Sequence, residues 1–426
     1  MLSYRRKNMG GVWVNFYRNI LFLLTCIYII LLPLVPQAIK LKGVPYTDLI
    51  LALVILAYLI NLVVSKKVRE NFIKGIIDFF TEKVSIFMVI LLAIMFASTM
   101  YAFNKKLALT ESVRFSTYIF IYFIIKYELN NKKKINILLT CYIVTSFVLC
   151  SIGIVQYFTG FAMEGQFLVL YETGKNVKIA ATLYNPNAYG AYLILIIFPV
   201  IMLGFYEKNK YKKIIYILLS ALILTNILMT YSRNALLGFV LGLLVLVIIY
   251  SYKLIFALGG FGVLICFIPS VFQRIKSITN MSGNVIRIKL WKTALMMIKE
   301  HPILGVGNGN YVARYNEYIF KYKELRYYSY RNFPTHNSYL KVQSELGIIG
   351  ILSFLGVVIT ALLRIRKFYR TTEDKFHKPL YMGVMASMIA FLFMNISDNL
   401  FFVPKATTYF WFLLATAEAL LNHQNV

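Results

Sequence analysis

The 426 residues are 59% hydrophobic and only 15% charged. Soluble globular chains are about 45–50% apolar and about 25% charged, so a soluble enzyme and a disordered chain are excluded and a polytopic membrane protein remains. The net charge of +28 would suggest nucleic acid on a soluble protein, but here the positive-inside rule must account for it first.

A spanning helix needs about 20 apolar residues. Suitable runs centre on residues 19–36, 46–64, 84–101, 112–126, 135–157, 188–205, 214–230, 235–250, 254–272, 338–362, 379–396 and 405–421, which predicts twelve spans, the fourth and eighth short. The length would hold two or three soluble domains, but a membrane bundle is one unit, so residues 1–426 read as a single membrane domain. Arg5, Arg6 and Lys7 precede the first run with no small-residue cleavage site after it, so that run reads as a span and not a signal peptide. Cys26, Cys141, Cys150 and Cys266 lie in apolar runs without metal-type pairing and read as packing residues.

With the N-terminus inside, the inner segments 1–18, 65–83, 126–134, 206–213, 250–253 and 363–378 carry 24 Lys and Arg. The short outer segments 37–45, 102–111, 158–187, 231–234 and 397–405 carry 8. The bias predicts a multi-pass plasma (inner) membrane protein with both termini cytoplasmic, and nucleic acid is not expected as a partner.

Residues 273–337 stand apart as a 65-residue extracytoplasmic loop between the ninth and tenth spans, with 11 Lys and Arg against Glu300, Glu317 and Glu324. Long translocated loops are exempt from the charge rule. The excess fits either anionic headgroups of membrane lipids or a polyanionic substrate such as a lipid-linked pyrophosphate.

The candidate site residues gather on the outer side. Arg233, in the very short Tyr231–Asn234 connection, is pinned at the membrane boundary. It either forks onto phosphate or snorkels to headgroups. Asn284 to Pro302 predicts an amphipathic helix, with Arg287, Leu290, Trp291, Ala294, Leu295 and Ile298 on one face and Lys289, Lys292 and Lys299 on the other. Arg287, on the apolar face, either packs on Trp291 or reaches an anion between loop and bundle. The alternating Gly305, Gly307 and Gly309 either bring amides to phosphate or form a tight turn after Pro302. His336 precedes the tenth span, which Thr335 or Asn337 can cap. A helix N-terminus favours the neutral imidazole that a general base requires, although most lone histidines are structural. Glu345, two turns into that span, is an intramembrane acid with Lys341 four residues earlier as an ion-pair partner, and Asp398 is a similar candidate. The aspartates Asp48, Asp78, Asp374 and Asp398 make no D-x-D, which disfavours a metal-dependent sugar-nucleotide transferase, and no nucleotide-loop, zincin or serine-hydrolase motif is present.

One ordered set of motifs remains: Gln156-Tyr157-Phe158-Thr159-Gly160, Asn185-Pro186-Asn187, Ser232-Arg233, Arg287…Trp291, His301-Pro302-Ile303-Leu304-Gly305-Val306-Gly307, and His336-Asn337…Glu345-Leu346-Gly347. From about residue 150 to 420 it resembles the O-antigen ligase and polymerase family, the Wzy-type polymerases and lipid A-core ligases. The resemblance implies an all-α GT-C-like bundle of about twelve transmembrane helices with a large extracytoplasmic loop. It implies a polyprenyl-pyrophosphate-linked glycan donor, a glycan acceptor, no metal and no other cofactor, with chain-length regulator proteins as possible partners. Carried over by motif, Arg233 and Arg287 hold the donor pyrophosphate and His336 is the base. Asn187, Trp291, Arg331, Asn337 and Glu345 are the further residues expected to bind substrate. Asn234 departs from the glycine that often follows the Ser-Arg pair. A polymerase of capsule, O-antigen or exopolysaccharide is the expected function. The alternatives are a ligase or O-oligosaccharyltransferase passing the glycan to lipid A-core or protein, and, less favoured, a flippase, which would place its ionisable groups at the bilayer midplane.

Overall fold

The computed structural model describes residues 2–36, 39–41, 43–163, 166–172, 177–250, 281–326 and 333–424. In chain order its helices are α1 (Leu2–Leu34), α2 (Tyr46–Val64), α3 (Lys66–Phe79), α4 (Lys83–Ala97), α5 (Lys105–Phe123), α6 (Lys132–Thr159), α7 (Gln166–Glu172), α8 (Pro186–Tyr206), α9 (Lys210–Met229), α10 (Arg233–Tyr250), α11 (Met281–Glu300), α12 (Tyr311–Lys321), α13 (Ser338–Thr371), α14 (His377–Met394) and α15 (Pro404–Gln424). Lys40–Leu41 and Val44–Pro45 form a two-stranded antiparallel pair. The protein is an all-α polytopic membrane protein.

Ten of these helices among the described residues are long and apolar enough to cross a membrane. They match ten of the twelve expected spans. The expected span at 254–272 lies outside the described residues, as do Cys266 and Arg331. The last expected span is α15, which has spanning length but is less apolar, with Lys405 and Glu418 buried in it. Protein covers it nearly throughout, so lipid does not select its composition. The fourth span runs Lys105–Glu128, longer than its hydropathy suggests. Glu111, Ser112 and Arg114 dilute its first half, yet Ser112 is buried and Arg114 pairs with Glu111 at 2.7 Å.

The core centres on α8, where every residue from Ala188 to Val200 is buried. Pro199 interrupts its hydrogen-bond ladder. There Gly383 of α14 lies so close that a Cβ would stand 2.4 Å from the Phe198 carbonyl oxygen, and Ser387 donates to the Ile194 carbonyl at 2.8 Å.

An ionic cluster closes the end of the bundle where α5, α13 and α15 finish. The buried Lys126 reaches Asp78 at 3.2 Å, Glu82, and Glu418 at 3.6 Å. Arg364 clamps Glu418 and reaches Glu82 at 3.4 Å. Burial first, then the Glu418 charge, push the Glu82 carboxyl above its ordinary value against the pull of Lys126 and Arg364. The cluster replaces water for charges that the bilayer boundary would otherwise strand.

At the other end α11 and α12 form a small second core of Leu290, Ala294, Met297, Val306, Tyr311, Tyr315 and Tyr318. The buried ridge of α11 is therefore rotated from the expected face. Met297 points inward because α12 supplies its tyrosines there, and Leu295 is half-exposed. Lys321 first, with Tyr322 and Tyr318, hydrogen-bonds the Glu300 carboxylate and holds it down to about 2.

Candidate active site

Three helix N-termini meet at the α11 end of the bundle, each entered through a non-glycine residue in the left-handed region: Tyr184 (φ 59°) before α8, Tyr231 (φ 50°) before α10 and His336 (φ 50°) before α13. Such backbone is uncommon for bulky residues and collects at functional sites. Each turn ends in a side-chain cap. Asn185 accepts from the Asn187 amide at 2.8 Å, Ser232 Oγ from the Ala235 amide at 3.2 Å and Asn337 from the Leu340 amide at 2.9 Å. Of the two caps foreseen for α13, Asn337 is the one used. Helix N-termini carry partial positive charge, so their convergence favours an anion.

The side chains form one chain of hydrogen bonds. His336 Nδ1 lies 3.0 Å from Asp398 Oδ1. Asp398 Oδ2 accepts from Asn187 Nδ2 at 2.7 Å, and Asn187 Oδ1 accepts from Ser232 Oγ at 2.7 Å. The Asn399 amide donates to Asp398 Oδ1 at 2.8 Å. Burial alone would raise the Asp398 carboxyl. The hydrogen bond and charge of His336, the Asn399 amide and the Arg287 charge instead hold it below the ordinary carboxylate range. An ionised Asp398 only accepts, so His336 Nδ1 carries the hydrogen of this contact and Nε2 takes no part in it.

Trp291 fixes the histidine from α11. Its indole N–H donates to the His336 carbonyl at 3.2 Å, and the Phe333 ring lies 5.4 Å from the imidazole. Asn337 also donates its amide to Asn399 Oδ1 at 2.9 Å, and Ser338 Oγ donates to Asn395 Oδ1 at 2.6 Å. These two asparagines of the Asn395-Ile-Ser-Asp-Asn399 turn position the histidine and were missed in the sequence, although their spacing around Asp398 was the available signal.

Arg233 follows Ser232 directly, and Arg287 lies within electrostatic reach of both Arg233 and Asp398. Burial, opposed by Asp398 and reinforced by Arg233, pulls the Arg287 guanidinium below its ordinary value. A guanidinium stays protonated regardless, so the direction records burial beside a second cation. Asn234, where a glycine was expected, is helical, buried and latched to the Met394 carbonyl at 2.8 Å. No left-handed residue is needed there.

Glu345 and the glycine stretch lie beside this centre, with their polar groups turned to each other. The Glu345 carboxylate, 1% exposed, accepts from the amides of Gly309 at 2.9 Å and Tyr311 at 3.1 Å and from Lys341 at 2.5 Å. Val306 and Gly307 donate to the carbonyls of Ser344 and Glu345, both at 2.9 Å, and Asn308 donates to Ser98 Oγ at 3.1 Å. The stretch is thus the tight turn, its amides occupied within the protein. Helix α13 breaks at Gly347 (φ 67°), where a Cβ would stand 1.9 Å from the Ile303 carbonyl oxygen. The Ile348 amide freed there donates to the Pro302 carbonyl at 2.9 Å. The turn therefore docks the segment between α11 and α12 into a broken span.

The structure brings Arg233, Arg287, His336, Asn187, Trp291 and Asn337 together. Glu345, expected to bind substrate, is instead bonded to Gly309, Tyr311 and Lys341 in the loop joint, and Arg331 lies outside the described residues.

The fold is that of a multi-pass membrane protein, and the comparisons say which proteins it is similar to. The family model described as O-antigen ligase matches residues 218–355, which contain Arg233, Arg287 and His336. The teichuronic acid biosynthesis protein TuaE of Bacillus subtilis (strain 168) is 24% identical over 372 residues, covering 82% of this chain and 72% of the relative. Over the segment that holds these residues, the chain is similar to the O-antigen ligases.

Proposed function

We propose that the protein polymerises polyprenyl-pyrophosphate-linked oligosaccharide repeats at the outer face of the plasma membrane. The observation that carries this reading is the meeting of Arg233 and Arg287 with the His336–Asp398 pair over three helix N-termini. An acceptor hydroxyl on one lipid-linked repeat gives its proton to His336 Nε2 as its oxygen attacks the anomeric carbon of the donor chain. The bond from that carbon to the pyrophosphate oxygen breaks with inversion, and polyprenyl pyrophosphate leaves. Its developing charge meets the two arginines and the helix ends, which act electrostatically without reorganising. Asp398 keeps the imidazole in the accepting tautomer and stabilises the imidazolium that forms.

The bias of 24 to 8 basic residues supports an orientation with both termini cytoplasmic and residues 273–337 outside. The name of the Bacillus subtilis relative favours an envelope glycan as product. A second reading, transfer of a finished glycan to a different acceptor, has in its favour the ligase description of the matching family. The test is the purified protein with one defined lipid-linked repeat. A ladder of longer lipid-linked products supports the polymerase. Consumption of donor only when a second acceptor is added supports the ligase, and no glycan transfer with either acceptor rejects both.

A further inference from the structure

A cavity of about 620 Å³ opens between α8, α10, α13 and α14, at the end of the bundle far from His336. Its size is that of a small-molecule pocket, room for a headgroup and part of one acyl chain. Arg366, Arg370 and Lys378 line it at the helix ends, with Tyr206 and Tyr369 beside them. Arg366 and Arg370 stand one turn apart on α13, a like-charge pair that weakens an isolated helix. Neither makes an ion pair among the described residues, whereas Lys378 pairs with Glu373 at 3.0 Å.

The wall changes character along the helices. On α14, Lys378, Met382, Met385 and Ile389 fall on one face. From the first to the last the rise is about 16 Å, close to half of a hydrocarbon core of about 30 Å. On α10, Val245, Ile248 and Ile249 face the same space. Positive charge and tyrosine at the interface give way to methionine and isoleucine at depth, which is the polarity profile of one phospholipid.

We infer that this groove binds an anionic phospholipid, with the headgroup phosphate against Arg366 and Arg370 and an acyl chain along Met382, Met385 and Ile389. Two arginines without an ion pair among the described residues select a net negative headgroup over a zwitterionic one. In the orientation proposed above the lipid belongs to the cytoplasmic leaflet, but its binding does not depend on the glycan-transfer reading.

The experiment titrates detergent-purified protein with phosphatidylglycerol, phosphatidylcholine and glycerol phosphate, reading bound lipid by native mass spectrometry. Near-surface basic residues contribute about 1 kcal/mol each toward anionic lipid, so the parent is expected to prefer phosphatidylglycerol by at least about tenfold. The double variant Arg366→Gln/Arg370→Gln is expected to lose that preference, and glycerol phosphate is expected not to compete. Should the double variant fail to fold, Met385→Trp fills the apolar wall with the cations intact and is expected to lose the lipid as well. Equal binding of both lipids by the parent overturns the proposal. So does a preference that survives in the variants, or competition by the headgroup alone.

Discussion

His336 Nδ1 and Asp398 Oδ1 lie 3.0 Å apart, although 62 residues separate them in the chain. The contact joins the start of α13 to the turn after α14, and Asn187 extends it to α8 at 2.7 Å from Asp398. Asp398→Asn tests it with almost no change of shape. An amide there carries no charge and has one accepting oxygen where Asp398 uses two, so it cannot stabilise the imidazolium, and His336 or Asn187 loses its acceptor. Turnover is expected to fall about 10²–10⁴-fold while donor binding, measured by equilibrium titration, stays near parental. Near-parental turnover would remove Asp398 from the mechanism.

The same pair sets the pH dependence. The depressed folded-state value of Asp398 means that its stabilising contribution is present above the unfolded carboxylate range and is lost as pH falls through the folded value. Asp398 therefore stays ionised at neutral pH, and turnover has an acid limb where Asp398 takes up a proton and the His336–Asp398 contact is lost. A pH–rate profile of the purified protein should fall on acidification in the parent. His336→Gln should show a low rate without that limb.

The arginines separate by what they offer phosphate. Arg233→Lys keeps the charge but loses the fork, and a partial defect in donor binding is expected. Arg287→Ala removes the charge facing Asp398 and Arg233, and a severe loss of turnover is expected. Both are read by steady-state kinetics with expression and melting checked. Normal kinetics in both would leave the arginines as headgroup anchors.

Glu345 is expected to fail differently. Glu345→Ala strands Lys341 and the amides of Gly309 and Tyr311 in a buried joint, a loss of order 3–5 kcal/mol. Thermal melting in detergent should drop sharply along with activity. Activity lost at an unchanged melting temperature would instead place Glu345 in the chemistry. Gly347→Ala should mimic the melting defect, because its Cβ meets the Ile303 carbonyl.

The opposite end gives a contrasting pair. Three carboxylates, Asp78, Glu82 and Glu418, share the cations Lys126 and Arg364. Lys126→Met should lower the melting temperature strongly by leaving buried acids uncompensated. Glu82→Gln removes the acid whose carboxyl is already pushed up and should leave melting unchanged or raised. The reverse order would contradict this account of the cluster.

Much of the bundle was legible because lipid enforces one rule, a long apolar helix, wherever a helix meets it. The rule weakens where helices meet protein. α15 carries Lys405 and Glu418 under cover, and α5 begins with Glu111 and Arg114 already paired. The site was legible in its arginines and histidine, whose chemistry is specific. Asp398 was legible only as a boundary acid and Asn395 and Asn399 not at all, because their roles arise from contacts across more than fifty residues. The glycine turn was ambiguous for the same reason, since its partners Glu345 and Ser98 are distant in sequence.

The most direct measurement of the central claim is conversion of a defined lipid-linked repeat by purified parent and His336→Gln protein, with donor binding followed in parallel. The account predicts glycan transfer with release of polyprenyl pyrophosphate by the parent, and retained binding with turnover lowered about 10²–10⁴-fold in the variant. Transfer at parental rate by His336→Gln would contradict it.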